Sequence, residues 1–575
     1  MSFDPKRSEA TTRHVDRGPW YIAVGSCAAI LVATAVRIHF GVDFTDESFY
    51  IAIPYRLVRG ARPFVDETSF FELPAAFLAY PFVFVYYHLF GVRGIVLFMR
   101  HVDLAFTLVV ALLLGNSLRS IRGHRPTNLV IASLAVAFVP FGIHGLSYNT
   151  FGAGFFCAGV FMLLACVAQP SRGKSIGAAS LLGLAVFTYP AFVLACALSL
   201  LAAAVFSWRR QRRLTIIGVG TFALWCAVTS AFFFQRGWST TLTLYHRAKL
   251  FGGQGGGLDK AVHVASATIR HSHPYLVLGV VAIAFALRRL GRGHLARWAL
   301  CVVPFLALVR GGSIASANDF VTNMALVAPV VFVARGALRR DWPLMAVVWL
   351  PAAVAGESAA FGSGNGSVNF GIGVFPGALA SLVLLSDATE PSSRWSGIGR
   401  PGARAVALVP AVATAAILTV FQYTYVYRDA EFGNLRHEVT DGPFAGLYTS
   451  TDHLHLIRDL QTDLATVSGP SCGIMFYRQF PAGYLFDAGV PRTNRAFVLE
   501  VVSSQLGQYE RILLAYYKSV GLPDVVVQVA NAPSIASESY AQPSPLERLL
   551  TGSAYQLVGF RHEYKIYRRT GVTCK

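Results

Sequence analysis

Residues 41–94 read GVDFTDESFYIAIPYRLVRGARPFVDETSFFELPAAFLAYPFVFVYYHLFGVRG. Six carboxylates sit in this stretch (Asp43, Asp46, Glu47, Asp66, Glu67 and Glu72), between long apolar runs at 20–40 and 95–115. A carboxylate beside a bilayer is costly unless it is solvated, paired or used. An acidic segment between two membrane-length runs therefore reads as a loop at one membrane face. Within it, 46–59 has helical spacing, with Phe49, Ile53 and Leu57 on one side. That pattern fits a helix lying on the membrane surface, and Pro54 should distort it. The stretch 74–90 is apolar enough for a span, but a span there would turn the basic loop 116–127 outward. It is read instead as an interfacial or re-entrant helix, with Phe82, Phe84, Tyr86, Tyr87 and Phe90 suited to the interface.

The rest of the chain supports this frame. Of its 575 residues 54% are hydrophobic and 14% charged, against about 25% charged in soluble domains. Disorder, a soluble enzyme and a disulfide scaffold are all poor fits. Thirteen candidate spans follow from the apolar runs: 20–40, 95–115, 128–145, 150–168, 175–190, 191–207, 214–234, 275–288, 297–310, 322–335, 342–356, 370–386 and 404–427. Counted in alternate loops, Lys and Arg number 23 on one side and ten on the other before residue 428. This asymmetry puts the tail 1–19 in the cytoplasm and 41–94 outside. The net charge of +19 is thus a matter of topology, and a nucleic-acid partner is excluded, since no basic cluster with interleaved aromatics occurs in a soluble region. The first run is long and lacks a small-residue cleavage site, so it reads as a retained span.

Residues 428–575 regain charge and carry no span-length apolar run. With an odd number of spans they lie outside. Leu454, Ile457, Leu460 and Leu464 recur at helical spacing, and 503–519 also reads as helix. Segments 473–478, 495–501, 524–529, 555–560 and 562–568 read as strands, which together suggest a small α/β domain. Cys27, Cys157, Cys166, Cys196, Cys226 and Cys301 fall in or beside spans and read as small packing residues. Cys472 and Cys574 lie in the outer region, where oxidation is open to them; spacing alone does not decide whether they pair.

Asp46-Glu47, Tyr50, Arg56, Gly60, Pro63, Phe70-Phe71-Glu72-Leu73-Pro74, Phe90-Gly91 and Arg100 form an ordered set at the first outer loop. This set resembles the first-loop pattern of GT-C glycosyltransferases, most of all glycosyltransferase family 39 and the lipid A aminoarabinose transferases. The resemblance covers about 60 residues, and the multi-span layout extends it over roughly the first 300. Leu73 departs from it, standing where the aminoarabinose transferases carry Lys, which leaves the sugar open. The implied fold class is a GT-C-like polytopic α-helical membrane protein, 20–427, followed by the soluble α/β domain 428–575. The implied place is a bacterial inner membrane, with the C-terminal domain periplasmic.

The resemblance further implies a polyprenyl-phosphate sugar donor and a lipid, glycan or protein acceptor. A hydroxyl becomes a good nucleophile when a carboxylate within hydrogen-bond reach takes its proton. An inverting displacement places that base opposite the leaving group. Asp46 is the expected base; read from residues alone, Thr45 or Asp46 serves equally well as the cap of helix 46–59. Glu47 and Tyr50 are expected to support the base or bind the acceptor. Asp43 is an alternative base or a loop residue, and Glu72 orients a metal or acceptor or is a solvated interfacial acid. The leaving lipid phosphate calls for cations or a divalent metal ion. His246, Arg247 and Lys249 in the outer loop 235–274, and Arg100 at the start of the second span, are the candidate phosphate contacts. The bland readings are a lipid-facing basic stretch for 246–249 and an Arg100–Asp103 pair. The glycine tract 252–257 reads as a connector or a gate beside them. A transporter or flippase of lipid-linked sugars, or a non-catalytic envelope assembly protein, are the competing classes.

Overall fold

The computed structural model describes residues 17–249, 262–263, 265–267, 270, 275–310, 313–314, 316–362, 366–389, 402–477, 480–486, 490–491, 514–529 and 545–574. Helix α1 (Gly18–Arg37) opens on Pro19, whose missing N–H costs nothing in a first turn. It ends where the acidic loop begins. There α2 (Asp46–Val58) and α3 (Leu73–Phe90) precede α4 (Ile95–Arg122), which stops at Gly123 in a positive-φ conformation (74°). Then come α5 (Pro126–Ala137), α6 (Tyr148–Ala168), α7 (Arg172–Thr188), α8 (Val193–Phe234) and α9 (Trp238–Lys249). Helix α8 is two helices joined at Gln211 (φ −144°), inside the basic run Arg209–Arg213.

Each of the thirteen expected spans overlaps a helix, although the one expected at 128–145 is α-helical only as far as Ala137. Among the described residues nine helices are long and apolar enough to cross a membrane, and the chain is a multi-pass membrane protein. Eight of the nine match expected spans; the ninth is α3. Of the other five expected spans, four are shorter helices, such as Pro126–Ala137 and Gly293–Leu306, and the fifth lies in the last apolar helix, Gly402–Thr424, whose apolar stretch is Val409–Thr424. Helix α3 thus has a span's length, against the expectation. Yet one of its ends meets α2 and the other meets the C-terminal region. Glu72 interacts with Tyr50 beside Asp46, while Gly94 at the other end donates from its N–H to the Gly442 carbonyl, 2.9 Å.

Helix α2 corrects a second expectation. It does not lie on a membrane surface: between Glu47 and Arg56 every residue but the half-buried Tyr50 is buried, including Ile51, Ala52 and Tyr55, which lie off the expected face. The cause is the C-terminal region, which closes over it. Phe44, Phe49 and Ile53 share one apolar core with Leu454, Ile457, Phe476 and Tyr484. Tyr484 also lies under the Arg56 guanidinium at 5.1 Å, and Arg56 pairs with Glu67 in full burial. The helix runs through Pro54 without a break.

The C-terminal region is α/β as expected. Helix Thr451–Val467 turns Leu454, Ile457, Leu460 and Leu464 inward. A five-stranded sheet has the order Val490–Pro491, Gly473–Tyr477, Val525–Val529, Tyr564–Arg569, Tyr555–Phe560. The first three strands are parallel and the rest antiparallel, and Ile474 pairs with Val525, which pairs with Arg568. The expected strand 495–501 lies outside the described residues, and of the helix 503–519 only the part from 514 is described. Cys472 and Cys574 form a disulfide across a Cα–Cα distance of 5.4 Å, tying the segment after strand Tyr564–Arg569 to the head of strand Gly473–Tyr477.

Candidate functional site

The turn entering α2 sorts the acids of the first loop into different jobs. Asp43 accepts from the Thr45 N–H (2.8 Å), the Thr45 hydroxyl (2.6 Å) and the Glu47 N–H (2.7 Å). It therefore satisfies the helix start from outside, while Thr45 at the cap position makes no capping bond with its own side chain. Burial, and then the nearby Asp46 charge, push the Asp43 carboxyl up to about 7. Glu47 is buried against Arg100, with Nε–Oε1 at 2.5 Å and Nη2–Oε2 at 2.6 Å. Arg100 also donates to the carbonyls of Ile38 (2.7 Å), Phe40 (3.1 Å) and Gly41 (2.8 Å). That bidentate fork holds α4, the end of α1 and α2 together. Arg100 is thus committed to Glu47 and backbone, not open to a phosphate as the sequence suggested, and its partner is Glu47 in place of Asp103.

Asp46 remains. Its side chain is 15% exposed, in the first turn of α2. The Tyr427 hydroxyl donates to its Oδ2, and Arg428 Nη2 stands 3.8 Å from the same oxygen. Arg428 Nη1 donates to Thr45 Oγ1 at 2.5 Å, and its guanidinium lies 5.1 Å from the Tyr427 ring. Asp429 accepts from the Val42 N–H (2.8 Å) and the Thr449 hydroxyl (2.6 Å). Three successive residues after the last apolar helix therefore strap the entrance to α2. Arg428 holds φ at +52°, a left-handed conformation that non-glycine residues adopt at a cost of about 1–2 kcal/mol. Burial, and then the Asp46 charge, raise the Tyr427 phenol above its ordinary range, so it stays a proton donor.

Aromatic hydroxyls complete the surroundings. Tyr50, one turn beyond Asp46, meets Tyr148 with ring centroids 5.9 Å apart, and Tyr148 stacks on Tyr189 at 5.2 Å. Asp46 and Glu72 both act on Tyr50 and Tyr148, which places Glu72, at the cap of α3, on the same side of the site. Behind Asp46 a cavity lined by Arg37, Asp43, Glu47, Arg100, His144 and Tyr427 has room for about one water, ≈ 10 Å³. His144 is buried there, held neutral by burial and by Arg37 and Arg100. Among the described residues no three His, Cys, Asp or Glu side chains gather as a metal would require. The oxygens of Asp43 and Glu47 are taken by N–H and guanidinium donors, so the donor set beside Asp46 does not fit a metal ion.

The backbone of His246, Arg247 and Lys249 ends α9; their side chains, and the glycine tract 252–257, lie outside the described residues. Just before them, the Tyr245 ring stands 6.2 Å from the Phe71 ring, next to Glu72. Sequence reasoning brought Asp46, Tyr50 and Glu72 to one site. It missed Tyr427 and Arg428, whose signal is a run of aromatic and charged residues, Tyr425-Val426-Tyr427-Arg428-Asp429, at the mouth of the last apolar helix.

No protein-family model and no curated protein matches the chain. Among solved structures, it is similar to ArnT from Cupriavidus metallidurans in the apo state, at 14% identity, covering 95% of this chain and 97% of that one, TM-score 0.41. ArnT from the same organism bound to undecaprenyl phosphate gives 14% identity, 96% and 99% coverage, and TM-score 0.44. The apo Archaeoglobus fulgidus oligosaccharyltransferase gives 12% identity, 88% and 70% coverage, and TM-score 0.47. The chemical reading rests on the side chains around Asp46.

Proposed function

We propose that this protein is an inverting membrane glycosyltransferase. It moves a monosaccharide from a polyprenyl-phosphate donor to a hydroxyl of a lipid, glycan or protein at the outer membrane face. The observation that carries the reading is the state of Asp46. Its acidic neighbours Asp43 and Glu47 are buried and bonded into the scaffold, whereas Asp46 is partly open and already holds a hydroxyl on Oδ2. That is the geometry a general base needs.

In the transfer the acceptor oxygen attacks the anomeric carbon and gives its proton to Asp46. The bond from that carbon to the phosphate oxygen breaks, and its electron pair leaves with the polyprenyl phosphate. The growing phosphate charge needs cations. Arg247 and Lys249, with His246, are the contacts we assign to it, supported by the packing of Tyr245 on Phe71 at the Glu72 end of the site. Tyr50 and Glu72 border the acceptor, and Arg100 positions the base indirectly by holding Glu47. A divalent ion at the phosphate is an alternative source of positive charge. Tail 1–19 is cytoplasmic and 428–575 periplasmic in a bacterial inner membrane, as the Lys and Arg asymmetry supports.

The test is incubation of the purified protein with a panel of polyprenyl-phosphate monosaccharides and glycan or lipid acceptors, with mass detection of released polyprenyl phosphate. Release by the native chain and its loss in Asp46→Asn support the reading. No release from any donor with acceptor present overturns it.

A further inference from the structure

We infer that the phenol of Tyr427 occupies the acceptor-hydroxyl subsite of Asp46, so that the arrangement seen is a self-capped one and the acceptor must displace Tyr427 before transfer. This deepens the proposed function and rests on Asp46 being the base.

Three observations carry it. First, the Tyr427 O–H makes with Asp46 Oδ2 the same kind of bond that an acceptor hydroxyl makes with a base, and while it stands the phenol fills the place beside that oxygen. Second, the phenol is a poor nucleophile here, since burial and the Asp46 charge keep it protonated; it caps the base without being consumed. Third, the strap is built as a short movable unit. Asp429 is anchored through Val42, Thr449 and His453, while two residues before Tyr427 the side chain of Tyr425 is exposed. Between them Arg428 is kept at φ +52° by its bond to Thr45 and its place beside Asp46. Releasing these contacts relieves an unfavourable backbone conformation, which favours opening. The space that opens is that of a six-membered ring directing a hydroxyl at Asp46.

The test reads Asp46 directly. Native protein, Tyr427→Phe, Arg428→Gln and Asp46→Asn are treated in detergent with dicyclohexylcarbodiimide, and modification is located by peptide mass. Labelling of residue 46 is expected to rise about tenfold in Tyr427→Phe and to rise in Arg428→Gln, the weight of one hydrogen bond to a charged group. Asp46→Asn gives none. In turnover, Tyr427→Phe lets water reach the base, so donor hydrolysis rises relative to transfer and the KM for acceptor falls. Equal labelling of Asp46 in the native chain and both strap variants, with the Cys472–Cys574 bond intact in each, overturns the inference. So does loss of transfer in Tyr427→Phe while acceptor binding is unchanged, which would make the phenol part of the catalytic machinery. Raised labelling with no donor turned over by any form leaves the cap standing and overturns the glycosyltransferase reading instead.

Discussion

Asp43, Asp46 and Glu47 are near neighbours with separate fates, and each predicts a different result. Asp46→Asn keeps the shape but removes the proposed proton acceptor, and should lower the proposed transfer by about 10²–10⁴-fold. Single-turnover kinetics beside a donor-binding measurement checks this, with binding retained. The Asp43 carboxyl is pushed up to about 7, from an ordinary value near 3.8, because burial and then the Asp46 charge oppose its ionised form. Its native form binds the proton more tightly than its unfolded form. Its contribution to stability is therefore full below about pH 4 and is lost as pH rises through 7. Asp43→Asn should flatten that dependence: thermal melts at pH 5 and pH 8 should differ less in the variant than in the native chain. Arg100→Ala would leave Glu47 buried without its partner and should destabilise by about 3–5 kcal/mol, read as a fall in melting temperature.

Among elements, α2 shows how far local pattern reaches. Phe49, Ile53 and Leu57 at helical spacing were enough to locate the helix. They could not show that Ile51 and Tyr55 are also buried, because the covering residues Phe476 and Tyr484 are far along the chain. Helix α9 carries the donor prediction. Neutralising Arg247 or Lys249 to Gln should raise the KM for a polyprenyl-phosphate sugar about tenfold each and leave kcat nearly unchanged, since each would remove a charge-assisted contact of the proposed donor site. Steady-state kinetics at low and high salt checks it. The strap has its own prediction. Asp429→Ala strips acceptors from the Val42 N–H and the Thr449 hydroxyl, and should cost about 1–3 kcal/mol, seen as a lower melting temperature.

At the scale of the whole molecule, a helical membrane part and the C-terminal α/β region share one apolar core built around the first loop. The disulfide closes a separation of 102 residues within the C-terminal region. Losing it in Cys472→Ser should cost about 2–4 kcal/mol. In the native chain Cys472 and Cys574 should accept maleimide only after reduction, as mass spectrometry will show. Much of this molecule was legible beforehand because lipid imposes a length and a composition on whatever crosses it. All thirteen apolar runs overlap helices, and the Leu454–Leu464 spacing and four of the five strand segments fell on described elements. The first-loop acids were legible for the same reason: charge is conspicuous where the surroundings are apolar. What stayed hidden was every choice of partner. Glu47 takes Arg100 across 53 positions and Asp46 takes Tyr427 across 381. A run of residues states its own hydrophobicity and spacing, which suffice for elements and for their order through a bilayer. Which carboxylate is locked into the scaffold and which is left to hold a hydroxyl depends on desolvation and on donors brought in by distant chain, and only the tertiary structure decided that.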